Sequence, residues 1–540
     1  MNARNADTTP AGTTTAGSAW APLRHPVFRA LWLAQTGSNL GGWMQTVAAQ
    51  WFLIQAGSGS AIVAWVQAAS LLPVLFLSLF AGVLADRFDR RRWLFTMNIV
   101  SAALALVLTV LSAVGVLGAP SLLLMTFLLG MSAALTAPAW QAIQPDLVPR
   151  EEIPAAAALG GITVNAARAV GPAIAGILVA WTGPTFVFAL NAVSFLGVVV
   201  ALMRWPRPER VPQTWAEPFG QAILAGVRYL AAGHVVRRLL LRSLLFAIPA
   251  SALWSLLPSA SGGLLGLDAT GYGLLLGLLG VGSILGAVLM PFITRRLSSS
   301  AALGISAAVF GVGTLGIAWW PLPVVVPLLL VSGIAWTVTL TTLNAAMQLS
   351  AAPWVRARAI SVYLLVLLGG QGLGAFVWGA VSAMIGVAAT LALSAGLLLL
   401  VGASVLVLPL HANTGRLDRS IQPYAAPEPR LVFDPEPEDG PVIVTVVYHV
   451  LPENEQAFLS AMVHLRGSRR RTGAAGWLLE RSGETSGSFR EEFRVRSWGE
   501  YTASRTTRWT GSDAAALARV LEASEITSES HAFAVRLPRH

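Results

Sequence analysis

The side chains most able to do chemistry here are few, and they sit among long apolar stretches. Asp86 lies among arginines in the run Gly82-Val-Leu-Ala-Asp86-Arg87-Phe-Asp89-Arg90-Arg91-Arg92. A carboxylate so placed can neutralise guanidinium groups or cap a neighbouring helix N-terminus, and it can exchange between the two. Gly82 permits close helix packing, and Asp89 adds a second acid able to share the arginines. Further along, Asn165, Arg168 and Pro172 are spaced i, i+3, i+7 and so share one helical face. Gly160, Gly161, Gly171 and Gly176 surround them. An arginine inside an apolar helix is costly unless it is paired or hydrated. Arg168 therefore either ties helices together near one end or meets a substrate directly.

Catalytic constellations are not expected. The chain has no cysteine, which excludes disulfides, thiol catalysis and thiolate metal sites. His449, His464 and His531 are scattered and show no metal-ligand spacing. The Gly-x-Gly-x-x-Gly type spacings over 271–282 fall in an apolar run and read as packing rather than as a nucleotide loop. No catalytic residue, metal or cofactor is assigned.

The elements that must position these groups follow from composition. The sequence is 55% hydrophobic and 11% charged, with a mean hydropathy of +0.65. A water-soluble surface over 540 residues needs more charge than that, so the excess apolar residues point to lipid as their solvent. The net charge of +10 comes from short Arg clusters between apolar runs, with no continuous basic face. That argues against nucleic acid as a partner.

A bilayer core about 30 Å thick needs roughly 20 apolar residues of helix. Such runs occur at 28–56, 62–85, 93–116, 122–143, 155–181 and 185–203. A polar stretch follows, and then 239–257, 272–293, 301–319, 324–347, 360–384 and 387–410. The pattern is six, a long loop, and six more: an all-α membrane protein of twelve helices in two six-helix halves, 22–204 and 237–411. Arginines fall only in every second connection, including the loop 205–236, while the alternate connections hold Asp268 as their single charge. By the positive-inside rule both termini are then cytoplasmic, in a multi-pass protein of the plasma membrane. Residues 1–21 are Thr/Ala/Gly-rich and are expected to form a disordered cytosolic tail, not a signal peptide.

Polar stripes on these helices mark where a ligand could lie, since polar groups facing lipid are expensive. The first run carries Gln35, Asn39, Thr46 and Gln50, and the fourth Ser132, Thr136, Trp140 and Gln144. The tenth has Thr337, Thr341, Asn344 and Gln348, while the seventh offers Trp254 and Ser255. Together with Asn165 and Arg168 they predict a water-filled cavity, although any one of them could serve only an interhelical hydrogen bond. The lining is neutral and aromatic, without a central acid, and suits a mostly apolar or neutral organic molecule.

After the last run, 412–440 is a Pro-rich, acidic linker. From 441 to 540 the pattern changes to that of a small soluble α+β domain. Strands are expected over 442–450, 477–481, 489–495 and 532–537, with helices over 453–466 and 514–523. The order βαββαβ suggests a ferredoxin-like sandwich.

The run from Gly82 to Arg92 resembles the signature loop of the major facilitator superfamily, with Asp89 where the general pattern has Gly. Gly171-Pro172 is similar to the glycine-rich motif of that superfamily's exporters. Further matches are Gly41-Gly42-Trp43-Met44-Gln45, Pro138-Ala-Trp140-Gln141 and Pro145-Asp146-Leu147-Val148-Pro149. These most closely resemble the enterobactin-exporter-like branch, the transmembrane secretion effectors. Members of that branch often carry a C-terminal extension similar to antibiotic-biosynthesis monooxygenases. The resemblance implies a major facilitator fold built from parallel repeats. It also implies export of small organic molecules by alternating access with proton coupling, and a gating loop at Gly82, Asp86, Arg87, Asp89, Arg90 and Arg91. The C-terminal domain is read as a dimerising or regulatory module, giving a homodimer as one partner arrangement. A catalytic monooxygenase-like domain, or an uncoupled lipid or metabolite flippase, is the alternative.

Overall fold

The computed structural model describes residues 20–87, 89–205, 229, 233–411, 414–422, 424, 429 and 431–534, with backbone alone over 78–87 and at 145. The expected tail, most of the loop 205–236, parts of the linker, and the side chains of Gly82, Asp86 and Arg87 lie outside the described residues.

Long helices succeed one another with short connections. They are α1 (Pro26–Gln55), α2 (Ser60–Arg87), α3 (Arg90–Ala113), α4 (Ala119–Ile143), α5 (Ile153–Thr182) and α6 (Pro184–Arg204). After the central loop come α7 (His234–Gly263), α8 (Ala269–Arg296), α9 (Ser299–Trp319), α10 (Leu322–Ser350), α11 (Arg356–Ile385) and α12 (Val387–Ala403). Among the described residues, ten helices are long and apolar enough to cross a membrane. Outside that set fall α1, with its polar stripe, and α12, which is shorter. Apolar side chains such as Leu106, Val110, Val193, Val288, Phe292 and Leu400 stay exposed on these helices. That is expected where the surrounding solvent is hydrocarbon. The fold is thus mostly helical and of membrane type, with a small sheet at its C-terminal end.

Two compact units divide the chain. Residues 1–58, 80–210 and 267–280 form unit 1; 59–79, 211–266 and 281–540 form unit 2. Each unit therefore takes one segment from beyond the central loop or before it. In unit 1 the first part of α8 lies against α5 through small residues. A Cβ on Gly176 would come within 2.5 Å of the Ala269 carbonyl oxygen, and one on Gly273 equally close to that of Pro172. Backbones can approach this closely only where both faces lack side chains. Within unit 2 the first part of α2 packs on α11 in the same way. There the Ser60 and Ser382 hydroxyls hydrogen-bond at 2.8 Å, and Trp65 stacks on Phe376 at 5.2 Å.

An internal repeat shows at two junctions. Gly183 joins α5 to α6 with φ +80° and ψ 169°, and Gly386 joins α11 to α12 with φ +83° and ψ 162°. Only glycine reaches that region without strain, so equivalent corners recur one half apart.

The last of the twelve apolar runs is shorter than expected: α12 ends at Ala403 rather than near 410, and the chain turns over 404–408. The reason is Arg242 of α7, only 4% exposed. Its Nη1 donates to the Val401 carbonyl and to Ser404 Oγ, and its Nη2 to the Ser404 and Leu408 carbonyls. A cation at a helix C-terminus collects the carbonyls that the helix leaves unpaired.

The sheet domain belongs to unit 2. Its elements are β1 (Val442–His449), α13 (Glu455–Thr472), β2 (Gly476–Arg481), β3 (Ser488–Val495), α14 (Trp498–Thr506), α15 (Gly511–Glu522) and β4 (Glu525–Phe533). The strands run antiparallel in the order β2-β3-β1-β4, which is the arrangement expected of a βαββαβ chain with its second helix broken in two. Alternate residues Val442, Val444, Val446 and Tyr448 of β1 are buried and meet Phe458, Met462 and Leu465 of α13 in one core. The expected final strand, 532–537, begins earlier, at Glu525.

The tether from α12 docks along this domain. Ile421 bridges Thr510, Gln422 N donates to the Trp509 carbonyl at 3.0 Å, and Tyr424 packs edge-on against Trp509 at 4.8 Å. Arg419 bonds both the Ser350 carbonyl that ends α10, at 3.1 Å, and Ser512 Oγ, at 3.0 Å. Arg508 lies 4.8 Å from the ring of Trp354, in the turn between α10 and α11.

Candidate functional site

In unit 1, α1 and α5 are fastened side by side. Thr36 and Thr163 share a hydrogen bond of 3.1 Å, Trp32 donates to the Leu159 carbonyl, and a Cβ on Gly171 would lie 2.9 Å from that of Trp43. Gly171 thus faces α1, while Pro172 and Gly176 face α8. The glycine-rich stretch serves two neighbours at once.

This packing sets the polar stripe of α1. Gln35, Asn39 and Thr46 are half-exposed on one face, and Gln35 Nε2 donates to Asn39 Oδ1 at 3.1 Å. Gln50, one turn further, is buried instead and accepts from the Tyr272 hydroxyl at 2.6 Å. Thr136 and Trp140 of α4, and Gln144 just past its end, are half-exposed, whereas Ser132 is buried and bonded to Ser101. Gln144 reaches towards Gly160 of α5, where a Cβ would meet its Nε2 at 3.4 Å.

Mid-way along α5, Arg168 donates from Nη2 to Asn165 Oδ1 at 2.7 Å. Asn165 in turn donates to the Gly161 carbonyl at 2.9 Å, which fixes its amide with the oxygen towards the guanidinium. Arg168 Nε is buried without a partner. Asn165 is exposed on the face that carries Gly161 and Ile162, opposite the buried Ala167 and Gly171.

At the end of unit 1 holding the arginine run, Asp89 caps α3 by accepting from Arg92 N at 3.0 Å. Arg90 donates to the Ala142 carbonyl and lies 3.6 Å from Asp146. Arg91 donates to the Leu202 and Met203 carbonyls at the end of α6.

In unit 2, Thr341, Asn344 and Gln348 share the exposed face of α10, with Gln348 donating to Asn344 at 3.1 Å. Trp254 is placed differently: it is 7% exposed and packs on Trp336 at 5.3 Å, in an interior aromatic group with Phe246 and Phe310. Arg242 and its carbonyl set were not singled out from the sequence. The available signal was an arginine near the start of the apolar run 239–257.

The sheet domain buries a second polar cluster. Glu491 is 0% exposed and accepts from Arg469, from the Tyr448 hydroxyl at 2.8 Å and from Trp477 Nε1 at 2.8 Å. Beside it, Tyr501 bonds His531 at 2.6 Å and Glu529 at 3.1 Å, and Arg505 reaches both Tyr501 and Glu529. Of the three histidines, only His531 enters this cluster; His449 pairs in register with Glu525, at the other end of β4.

An all-helical membrane body with small-residue helix contacts, a repeated corner and a polar face on otherwise apolar helices defines a multi-pass transporter. The chain belongs to the transmembrane secretion effector family, whose pattern it matches over residues 17–532, sheet domain included. It is 24% identical to the staphyloferrin A transporter of Staphylococcus aureus over 52% of this chain and 70% of that protein. To the multidrug efflux pump Tap of Mycobacterium tuberculosis it is 27% identical over 68% and 89%. Identity to the enterobactin exporter EntS of Salmonella choleraesuis is 30%, over 39% and 51%. A bacterial homolog of the human lysosomal transporter Spinster, in an inward-facing and occupied conformation, shares the fold at a TM-score of 0.59 and 17% identity, over 72% of this chain and 97% of that one. Family and relatives are transporters, and so is this chain; it is not an enzyme.

Proposed function

We propose that the protein is a secondary active exporter of small, largely neutral or amphiphilic organic molecules, of siderophore, antibiotic or drug type. It works by alternating access and is coupled to protons. The observation that carries this reading is a half-exposed polar face on α1, at Gln35, Asn39 and Thr46, together with the polar pair Asn165 and Arg168 on α5, in long helices that are mostly apolar. Polar groups are retained inside a membrane span where they meet water or cargo. The names of the exporter and the efflux pump among its relatives support the outward direction.

In this proposal α1 and α12 cross the bilayer with the other ten helices, both termini are cytoplasmic, and the membrane is the plasma membrane. The cargo-binding residues of unit 1 are Gln35, Asn39, Thr46, Thr136, Trp140, Gln144, Asn165 and Arg168; those of unit 2 are Thr341, Asn344 and Gln348, with Trp254 in the aromatic interior of that unit. Gly82, Asp86, Arg87, Asp89, Arg90 and Arg91 form the gating loop. The sheet domain regulates or dimerises.

Accumulation of a fluorescent drug panel in cells with and without the protein tests export. Equal accumulation for every compound would refute it. Export that survives collapse of the proton gradient would instead favour the flippase reading. Asp86→Asn is expected to cut transport strongly at unchanged membrane abundance.

A further inference from the structure

Arg168 poses a charge-balance problem that the fold leaves open. It is the only charged residue in the 30 residues of α5. No Asp or Glu occurs in α1, α3, α4 or α6 either. Acids of unit 1 stand at helix ends or in loops, where Asp89 caps α3 and Asp146 lies by Arg90. Among the described residues, the other solution used in this protein, a set of main-chain carbonyls, is also missing at Arg168. Arg242 has three carbonyls and a hydroxyl, and Arg91 has two carbonyls. Among the described residues Arg168 has one neutral amide oxygen as acceptor, and its Nε is buried with none.

A guanidinium in a span needs either a counter-charge or a full set of neutral acceptors, because desolvating it alone is expensive. It also presents paired donors whose geometry fits a carboxylate. We infer that Arg168, oriented by Asn165, is the recognition site for one carboxylate on the exported molecule. One arginine balances one such charge; a phosphate, with nearly two, would leave a surplus. Cargo of this kind has a largely uncharged body and a single acidic group, so the inference rests on the exporter reading and narrows its substrate class. Asn165 acts as a positioning residue, since its own amide is anchored to Gly161 and its oxygen holds the guanidinium on the exposed side of α5.

The test uses the purified full-length protein in nanodiscs and matched probes: benzoate against benzamide, and salicylate against salicylamide. Binding is read by quenching of the intrinsic tryptophans. In the wild-type protein each acid is expected to bind at least about tenfold more tightly than its amide. Arg168→Gln should bring the ratio to about one, and Arg168→Lys should keep part of it. Asn165→Asp places a carboxylate on the guanidinium from within, so it should abolish acid binding while leaving the helix charge-neutral; it remains decisive if Arg168→Gln folds poorly. Equal binding of acid and amide by the wild type, acid preference that survives Arg168→Gln, or no binding of either acid at millimolar concentration would each overturn the inference. Export assays separate the two readings. Cargo exported without any dependence on Arg168 leaves an exporter and removes the carboxylate site. Acid binding without net export does the reverse.

Discussion

The sheet domain and the membrane helices treat a buried or half-buried arginine differently. In the domain each is matched by a carboxylate: Arg469 by Glu491, Arg471 by Asp513, Arg505 by Glu529, Arg508 by Glu500. In the helices Arg91 and Arg242 are received by main-chain carbonyls at helix ends, and Arg90, at the start of α3, by the Ala142 carbonyl with Asp146 3.6 Å away. The domain folds against water, and it can supply acids from strands and helices whose outer faces are charged anyway. A lipid-facing helix can supply only what it has, which is the unpaired carbonyls of its last turn. Arg168 follows neither rule. The comparison teaches that a membrane arginine lacking both kinds of acceptor is held for something that arrives.

Removing one partner in each setting tests the contrast, and the effects should decline in order. Glu491→Ala takes the shared acceptor from Arg469, Tyr448 and Trp477, and should destabilise the sheet domain by about 3–5 kcal/mol. Hydrogen exchange of β3 in the full chain measures this; a loss under about 1 kcal/mol would break the comparison. Arg242→Leu leaves carbonyls and Ser404 Oγ to find other donors, at a cost of about 1–3 kcal/mol, read as a lower melting temperature in nanodiscs. Acid should weaken the domain more gently. Burial raises the Glu529 carboxyl, but the hydrogen bond to His531 and the charges of Arg505, Arg469 and His531 lower it further, for a net depression. A carboxylate with a depressed folded value stabilises fully above its ordinary range, and that contribution is lost as pH falls through the lowered value. Protease resistance of the domain should therefore drop on the acid side and recover on return to neutrality. Arg168→Gln should change stability least, by about 0.5 kcal/mol or less, because no carboxylate is stranded. A large destabilisation there would assign Arg168 to the fold.

Much of the membrane part was legible because hydrocarbon imposes long apolar runs, and each expected run coincides with a helix, closely except at both ends of α7, which runs longer, and at the end of α12. That end was invisible because 404–410 is as apolar as the helix before it; what stops the helix is a guanidinium from α7, far away in sequence. In the sheet domain α14 escaped notice. Its stretch from Trp498 to Thr506 carries Tyr501 as its one buried residue and has no apolar period. The first half of β4 escaped for a similar reason: Glu525, Ser528, Glu529 and Ser530 do not alternate in polarity. That Gln35 and Asn39, or Asn344 and Gln348, share a face and bond one another follows from their i, i+4 spacing alone. Trp254 does not, since sequence shows that an aromatic is present but not which side of its helix faces inward.

Arg419 has a mechanical consequence. One guanidinium grips the final carbonyl of α10 with one edge and the start of α15 with another. Hydrogen bonds of this kind tolerate only about half an ångström of stretch before they fail. Any rocking of α10 must either carry the sheet domain along as a lever or tear this joint open, so a fluorescent label on β2 would report the tilt of a helix it never touches.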